Sequence, residues 1–350
     1  MTARRPSVLL WGAGMSAALH ADACRVLGWP VRAVVSRSPA RAAALARKVG
    51  AKVITAESAL AGRATDVAIV ATPPSNHVDA AVALLDAGYH VVVEAPLACT
   101  LDDADRLLAE EAAAGRPVLY SEHLVSAPAV DAMLGAIDSL GRLTHLSARA
   151  LQPPPDWRTV TSTDSTDDPG WGGGALFDLG VHPLGAALRV AAESGAGGAS
   201  SVSAVVTDVG TDNEHANVQV HFSGGLTATV VVGWSPGQSA SWDLQASSTS
   251  GVLRVEFFPT PSLERNGDPV PLARTGDGPS LATDFGYATQ LARFWTTVRT
   301  GRPVPVTSRV GRAVLEVVCA AHWSAGHGAV EVPLPFSGPT DRTPRQLFAA

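Results

Sequence analysis

Over the first third of the chain, short apolar runs alternate with longer segments whose apolar positions recur every three or four residues. Residues 7–11 (SVLLW), 31–36 (VRAVVS), 53–54, 66–71 (DVAIVA), 89–96 and 118–121 are the short runs, and residues 15–27, 39–49, 76–88 and 101–114 are the helical segments. This alternation predicts a parallel, doubly wound sheet covered by helices. Beyond it the pattern changes. Residues 127–140 read as a helix with Pro128 in its first turn, and 143–151 alternate like a strand. Residues 152–169, rich in Pro, Ser, Thr and Asp, show no apolar period and predict a long functional loop. A helix-like run follows at 172–190. Residues 202–208, 216–222, 226–233, 241–246 and 252–257 then alternate with period two between Gly and Asn turns, as antiparallel strands do. Residues 259–279 read as a Pro- and Gly-rich excursion, and 284–300 and 308–326 as helices. The expected architecture is an N-terminal α/β domain over residues 1–121 and a C-terminal α+β domain over 122–350 with an open-faced, mainly antiparallel sheet. A sheet with helices on one face needs a partner on the other, so a homodimer or homotetramer through it is expected.

Composition narrows the function. At 350 residues, with 46% hydrophobic and 17% charged positions, the chain has material for two cores. A net charge of −6 and the lack of any long basic tract argue against nucleic acid and anionic membrane surfaces as partners. No apolar run approaches the roughly 18 residues of a membrane span. Arg4 and Arg5 before an apolar stretch mimic a signal peptide, but Gly12 and Gly14 interrupt it. Cys24, Cys99 and Cys319 are scattered and odd in number, with neither zinc-ligand spacing nor a disulfide framework, so no metal and a cytoplasmic setting are expected. The only lysines are Lys48 and Lys52.

The first candidate chemistry is Gly12-Ala13-Gly14-Met15-Ser16-Ala17, a G-x-G-x-x-A turn between a strand and a helix. Gly12 permits the tight turn, Gly14 lets backbone approach a pyrophosphate, and the helix start offers free N–H groups. The next strand ends in Ser36-Arg37-Ser38, where an acidic residue would bind the ribose hydroxyl of NAD. Arg37, helped by Ser38 and Arg41, instead suits a 2′-phosphate, so NADP is expected over NAD. A second candidate is Asp178 with His182, four residues apart in an apolar run. On one continuous helix they would share a face, the carboxylate orienting the imidazole for proton transfer.

Ala71-Thr72-Pro73-Pro74-Ser75-Asn76-His77, and the strand from Gly88 through Val91 to Glu94-Ala95-Pro96, resemble the Gfo/Idh/MocA family of glucose-fructose oxidoreductase and inositol dehydrogenase. Gly172, Gly173, Gly174, Leu176, Asp178, Gly180 and His182 fit the same family's G-G-G-x-L-x-D-x-G-x-H pattern. The resemblance implies a Rossmann domain, an NAD(P) cofactor and hydride transfer at a hydroxyl or carbonyl carbon of a sugar-like molecule. It places Thr72, Pro73, His77, Glu94 and Pro96 along the nicotinamide half of the crevice, and Asp178 and His182 at the substrate. Trp157-Arg158, with Trp171, resembles a substrate-side lid. Two positions depart from the family: Ala95 stands where it has a catalytic lysine, and Gly185 where many members have an acid. Glu122 or His123, directly after the sixth strand, is the expected replacement for the lysine. Without it, a non-catalytic NADP-binding sensor and a redox-neutral, glycosidase-like enzyme stand as alternatives.

Overall fold

A computed structural model describes residues 4–155, 173–272, 280–302 and 306–350. The 152–169 loop from residue 156 onward, with Trp157, Arg158 and Trp171, and Gly172 lie outside the described residues.

Strands β1 (Val8–Trp11), β2 (Val31–Val35), β3 (Lys52–Val53), β4 (Val67–Val70), β5 (His90–Glu94) and β6 (Leu119–Ser121) form one parallel sheet in the order β3-β2-β1-β4-β5-β6. Val8 to Leu10, Val67 to Val70 and Val91 to Val93 are almost wholly buried, as expected of a parallel sheet covered on both faces. The connecting helices are α1 (Met15–Leu27), α2 (Pro39–Val49), α3 (Ala56–Leu60), α4 (His77–Asp86) and α5 (Leu101–Ala114). Thr100 caps α5 by accepting from the Asp103 N–H, and Gly28, Gly50 and Gly115 close α1, α2 and α5 in the left-handed conformation. The strand order reverses between β1 and β4. A ligand crevice is therefore expected above their carboxyl ends.

After α6 (Pro128–Ile137), β7 (Leu143–Gln152) begins a sheet of nine strands in the order β14-β13-β12-β11-β7-β10-β9-β8-β15. Its central members are β8 (Ala199–Thr207), β9 (His215–Phe222), β10 (Thr227–Trp234), β11 (Ser241–Ser248) and β12 (Gly251–Glu256). The pairing is mixed, not purely antiparallel: β7 runs parallel to β10 because the chain crosses α7 (Val181–Glu193), β8 and β9 before returning to that edge. The expected excursion at 259–279 contains a hairpin, β13 (Ser262–Arg265) and β14 (Asp268–Val270), turned by Asn266 and Gly267 at φ 54° and 89°. Asn-Gly is a strong hairpin signal, here masked by the surrounding prolines. A last short strand, β15 (Val332–Pro333), joins β8.

Along β10 the inward Ala228, Val230 and Val232 are buried while Thr227, Thr229 and Val231 on the opposite face are partly exposed. The inner face packs against α7 and α9 (Ser308–Gly326), and α9 also reaches α5 of the first sheet's layer. Helix α8 (Tyr287–Thr300) lies against α1, and α10 (Pro344–Phe348) against α9. The C-terminal helices thus bind the two sheets into one body around the crevice.

Candidate active site

Gly12 ends β1 at φ 130°, and a Cβ there would sit 2.1 Å from the Ala71 carbonyl oxygen, so β1 and β4 approach closely only because the position is glycine. Gly14 faces open space, no heavy atom lying within 4 Å of a Cβ built there, and it precedes α1 without a side-chain cap. The first amide groups of α1 are therefore free to meet an anion, with Ala13 beside them and Met15 64% exposed above the turn. At the tip of β2 the Ser36 hydroxyl accepts from the Ser38 N–H at 3.2 Å, and Arg37 and Arg41 are exposed. Thr72, after β4, buries a hydroxyl without a hydrogen-bond partner among the described residues. An open glycine turn, free helix amides, a surface arginine at the β2 tip and an unpaired hydroxyl beyond β4 fit a dinucleotide laid across the switch point.

His77 pins the far side of this crevice. Its Nδ1 lies 2.8 Å from the Pro96 carbonyl and its Nε2 2.7 Å from the Thr72 carbonyl, joining the ends of β4 and β5. Burial lowers its proton affinity despite these carbonyls, so His77 acts as a structural clamp. Glu94 is also buried; burial pushes its pKa up, but the bond and charge of His20 and the Ser121 hydroxyl hold it below its usual value. His20, on α1, is an interior contact that helical periodicity alone makes look like an ordinary core position.

The Asp178–His182 expectation needs correction in its geometry. The predicted continuous helix is broken: a single turn, Ala175–Asp178, ends before α7 starts at Val181. The Gly180 N–H reaches back to Ala175, the His182 N–H bonds Leu179, and Pro183 has no N–H to restore the regular ladder. Gly180 is required at this bend, since a Cβ would lie 2.4 Å from the Leu176 carbonyl oxygen. His182 therefore turns to a different carboxylate. Its Nδ1 lies 2.7 Å from Glu122 Oε2, 60 positions earlier in the chain, and Asp178 adds only a smaller electrostatic contribution.

Glu122 leaves the end of β6 and caps the 3-10 turn His123–Ser126, its Oε1 accepting the Leu124 N–H at 3.1 Å. The Glu122 side chain is 0% exposed and that of His182 15%, so the imidazole is the member of the pair that reaches the crevice. Burial raises the Glu122 pKa despite the neighbouring His182. Burial works downward on His182, and Glu122 more than offsets it, so the pair holds its proton to higher pH than a free histidine. Space for Glu122 comes from Gly185, where a Cβ would sit 2.8 Å from Glu122 Cγ and 3.3 Å from Val125. Arg189, on the same face of α7, holds the 3-10 turn by donating to the Val125 carbonyl while paired with Asp131.

His123 is placed differently from Glu122. Its Nδ1 lies 3.1 Å from the Phe285 carbonyl, and its ring stacks on Tyr287 at 4.6 Å and lies 4.5 Å from that of His182. Burial first, then the charge of His182, hold it well below the usual histidine range, which makes it a neutral aromatic wall. Trp242 completes that wall, stacked on His182 at 5.7 Å. Glu122, His123 and His182 bring one ligand-type atom each within 4.8 Å. Both Glu122 oxygens are already engaged, so the trio forms a hydrogen-bonded acid–imidazole pair beside a second ring, not a prepared cation cage.

The profile described as "Oxidoreductase family, NAD-binding Rossmann fold" (GFO_IDH_MocA) matches residues 7–122, and that of the GFO/IDH/MocA C-terminal domain matches residues 135–254. An uncharacterized oxidoreductase, ORF334, of Rhizobium meliloti is 28% identical over 309 residues, covering 86% of this chain and 90% of its own length. A dTDP-3,4-didehydro-2,6-dideoxy-alpha-D-glucose 3-reductase of Streptomyces antibioticus is 36% identical over 166 residues, 45% of this chain and 48% of its own. Among solved structures, GenD2 from gentamicin A biosynthesis, in complex with NAD, superposes with a TM-score of 0.78 over 95% of this chain and 97% of its own, at 24% identity, a likeness of fold. With both of its domains matched by that family's profiles in their proper order, the chain belongs to the Gfo/Idh/MocA oxidoreductase family.

Proposed function

We propose that the chain is an NADP-preferring oxidoreductase that transfers a hydride to or from a hydroxyl-bearing carbon of a sugar-like small molecule. The observation that carries this reading is the Glu122–His182 pair beside the carboxyl ends of a parallel sheet with an open glycine turn. The family's oxidoreductase character and the sugar reductase among its relatives support it.

Oxidation of a carbinol removes a hydride and a proton. When bound, NADP would supply the hydride acceptor, with Gly12 and Gly14 holding its pyrophosphate and Thr72 and Glu94 on the nicotinamide side. His182 takes the hydroxyl proton at Nε2, because its Nδ1–H is committed to Glu122. The buried carboxylate fixes that tautomer and stabilises the imidazolium as it forms. In the reverse direction the same imidazolium gives its proton to the carbonyl oxygen. Glu122 thus stands in for the absent lysine by acting through His182, while His123 and Trp242 wall the site. Asp178 serves as a secondary charge. The segment bearing Trp157, Arg158 and Trp171 is assigned as a lid on its sequence. Steady-state assay of the purified protein with NADP and NADPH against a panel of sugars and keto sugars tests the reading. Product formed with no net change in nicotinamide absorbance would favour the redox-neutral alternative, and tight nucleotide binding without turnover the non-catalytic one.

NADP preference rests on Arg37, exposed at the β2 tip and flanked in sequence by Ser36 and Ser38. Arg37→Ala is expected to weaken NADPH about tenfold and leave NADH unchanged, roughly the loss of one charge-assisted contact. Calorimetry showing NADH the tighter ligand of the wild-type protein would overturn the preference. The half-exposed face of the nine-stranded sheet is proposed to pair with a second copy as a homodimer or homotetramer, and a sequence with three scattered cysteines suits a cytoplasmic setting. Light scattering is expected to give a multiple of 35.9 kDa, and Val231→Arg to shift it toward the monomer; a monomeric wild type rules this out. Among the described residues no helix is long and apolar enough to cross a membrane.

A further inference from the structure

Two of the buried carboxylates stand at the crevice, Glu94 and Glu122, and each is hydrogen-bonded to an imidazole, His20 and His182. The Glu122 pair belongs to the proton transfer already described. The Glu94 pair does not, and its construction is more enclosed. His20 comes from the middle of α1, is 0% exposed, and places Nε2 2.5 Å from Glu94 Oε1. Ser121 donates to the same oxygen at 3.0 Å and itself receives the Gln290 amide N–H at 2.8 Å. The Ala95 N–H donates to the other oxygen at 3.1 Å. Tyr287 meets the imidazole edge-on at 5.3 Å. Four elements, α1, β5, β6 and α8, thus fix one carboxylate at the end of β5.

Glu94 acts electrostatically on His77, Tyr120, Glu122, His182 and Tyr287, the titratable groups around the crevice. His20, within α1, meets Tyr287 edge-on and acts electrostatically on His123 as well. Glu94 closes β5 at the carboxyl end of the parallel sheet, where the crevice lies, and His20 reaches it from α1. Oxidised nicotinamide carries a positive charge that it loses on accepting hydride, so a fixed negative charge beside it favours the oxidised form. In a site of low polarity such a bias is larger than in water.

We propose that His20 is a positioning residue that keeps Glu94 ionised, and that through Glu94 it makes the crevice prefer oxidised over reduced nicotinamide nucleotide. This rests on the crevice being the nucleotide site. Without the imidazole, a buried carboxylate loses its counter-group and takes up a proton, which removes the charge the preference depends on. Among the bound species the equilibrium would thereby lie toward oxidised nucleotide and reduced carbonyl substrate.

Dissociation constants of NADP+ and NADPH, measured by calorimetry on wild type, His20→Leu, Glu94→Gln and the double variant, test the inference. His20→Leu is expected to weaken NADP+ about tenfold while NADPH stays within about twofold, Glu94→Gln to do the same, and the double variant to be no worse than Glu94→Gln alone. His20→Gln, which keeps a neutral donor, is expected to recover part of the preference. Equal weakening of both nucleotides in His20→Leu, or effects of the two variants that multiply, would overturn it, since a merely structural histidine behaves that way. Should His20→Leu fail to fold, Glu94→Gln and His20→Gln carry the same comparison. If the wild-type protein binds neither nucleotide, the nucleotide-site reading itself falls.

Discussion

Replacing His182 with alanine is expected to lower kcat about a thousandfold while leaving nucleotide affinity within about twofold, the usual loss when a general acid–base group is removed. The reason is positional. His182 is the member of the Glu122 pair that reaches the crevice, and no lysine is available among the described residues to take over, since Lys48 pairs with Asp22 on the α1 and α2 side and Lys52 lies on β3. Truncating one partner of a buried pair ordinarily costs about 3–5 kcal/mol of stability because the other charge is stranded. Here the cost is expected at the low end, because Glu122 is already held above its usual pKa and becomes neutral by taking up a proton. Thermal melting beside the kinetics separates the two effects. A His182→Ala protein that folds and turns over at more than a tenth of the wild-type rate would remove His182 from the chemistry.

Glu122→Gln is expected to move the pH dependence of that chemistry. In carbonyl reduction the imidazolium is the proton donor, so the rate is full at low pH and falls as pH rises through the His182 pKa. Burial, acting first, lowers that pKa, and Glu122 is the main group that raises it again above 6.5. Glutamine preserves the shape and removes the charge, leaving burial opposed only by the weaker contributions of Asp178 and Glu94. The falling limb of reduction is then displaced to lower pH, and the rate at pH 7.5 drops. The rising limb of alcohol oxidation, which needs neutral imidazole, moves the same way. Stability follows the same sign: a histidine whose folded pKa is raised contributes fully below its unfolded value near 6.5 and loses that contribution as pH rises through the folded one. In the wild type the melting temperature should therefore decline over that interval, and in Glu122→Gln the decline should be smaller. Superimposable pH–rate profiles would show that Glu122 does not tune His182.

The parallel sheet was legible in the sequence because its strands are short apolar runs, each followed by a helical segment with a clear stop. The glycine turn was legible for the same reason: Gly12 and Gly14 stand between a strand and a helix, where only backbone chemistry explains them. What escaped was long-range pairing. Asp178 stands close to His182 in sequence and Glu122 is distant, yet a bend at Gly180 and an absent Cβ at Gly185 give the imidazole to Glu122. His20 escaped because a polar residue on the buried face of an alanine-rich helix has no local signature, and its partner Glu94 arrives on β5. Periodicity reports which face is buried, and only the packed fold reports against what.

Gly185 makes two designs of this site mutually exclusive. The volume that a side chain at position 185 would occupy is already filled by Glu122 Cγ and Val125. An acid carried on α7 and an acid carried on the 3-10 turn are competitors for one place, so neither arises in the presence of the other without a clash. A chain passing from one arrangement to the other must cross an intermediate with the place vacant, holding a histidine that has lost its tuning carboxylate. A side chain at position 185 and a glutamate at position 122 are thus expected to be tolerated one at a time in this fold.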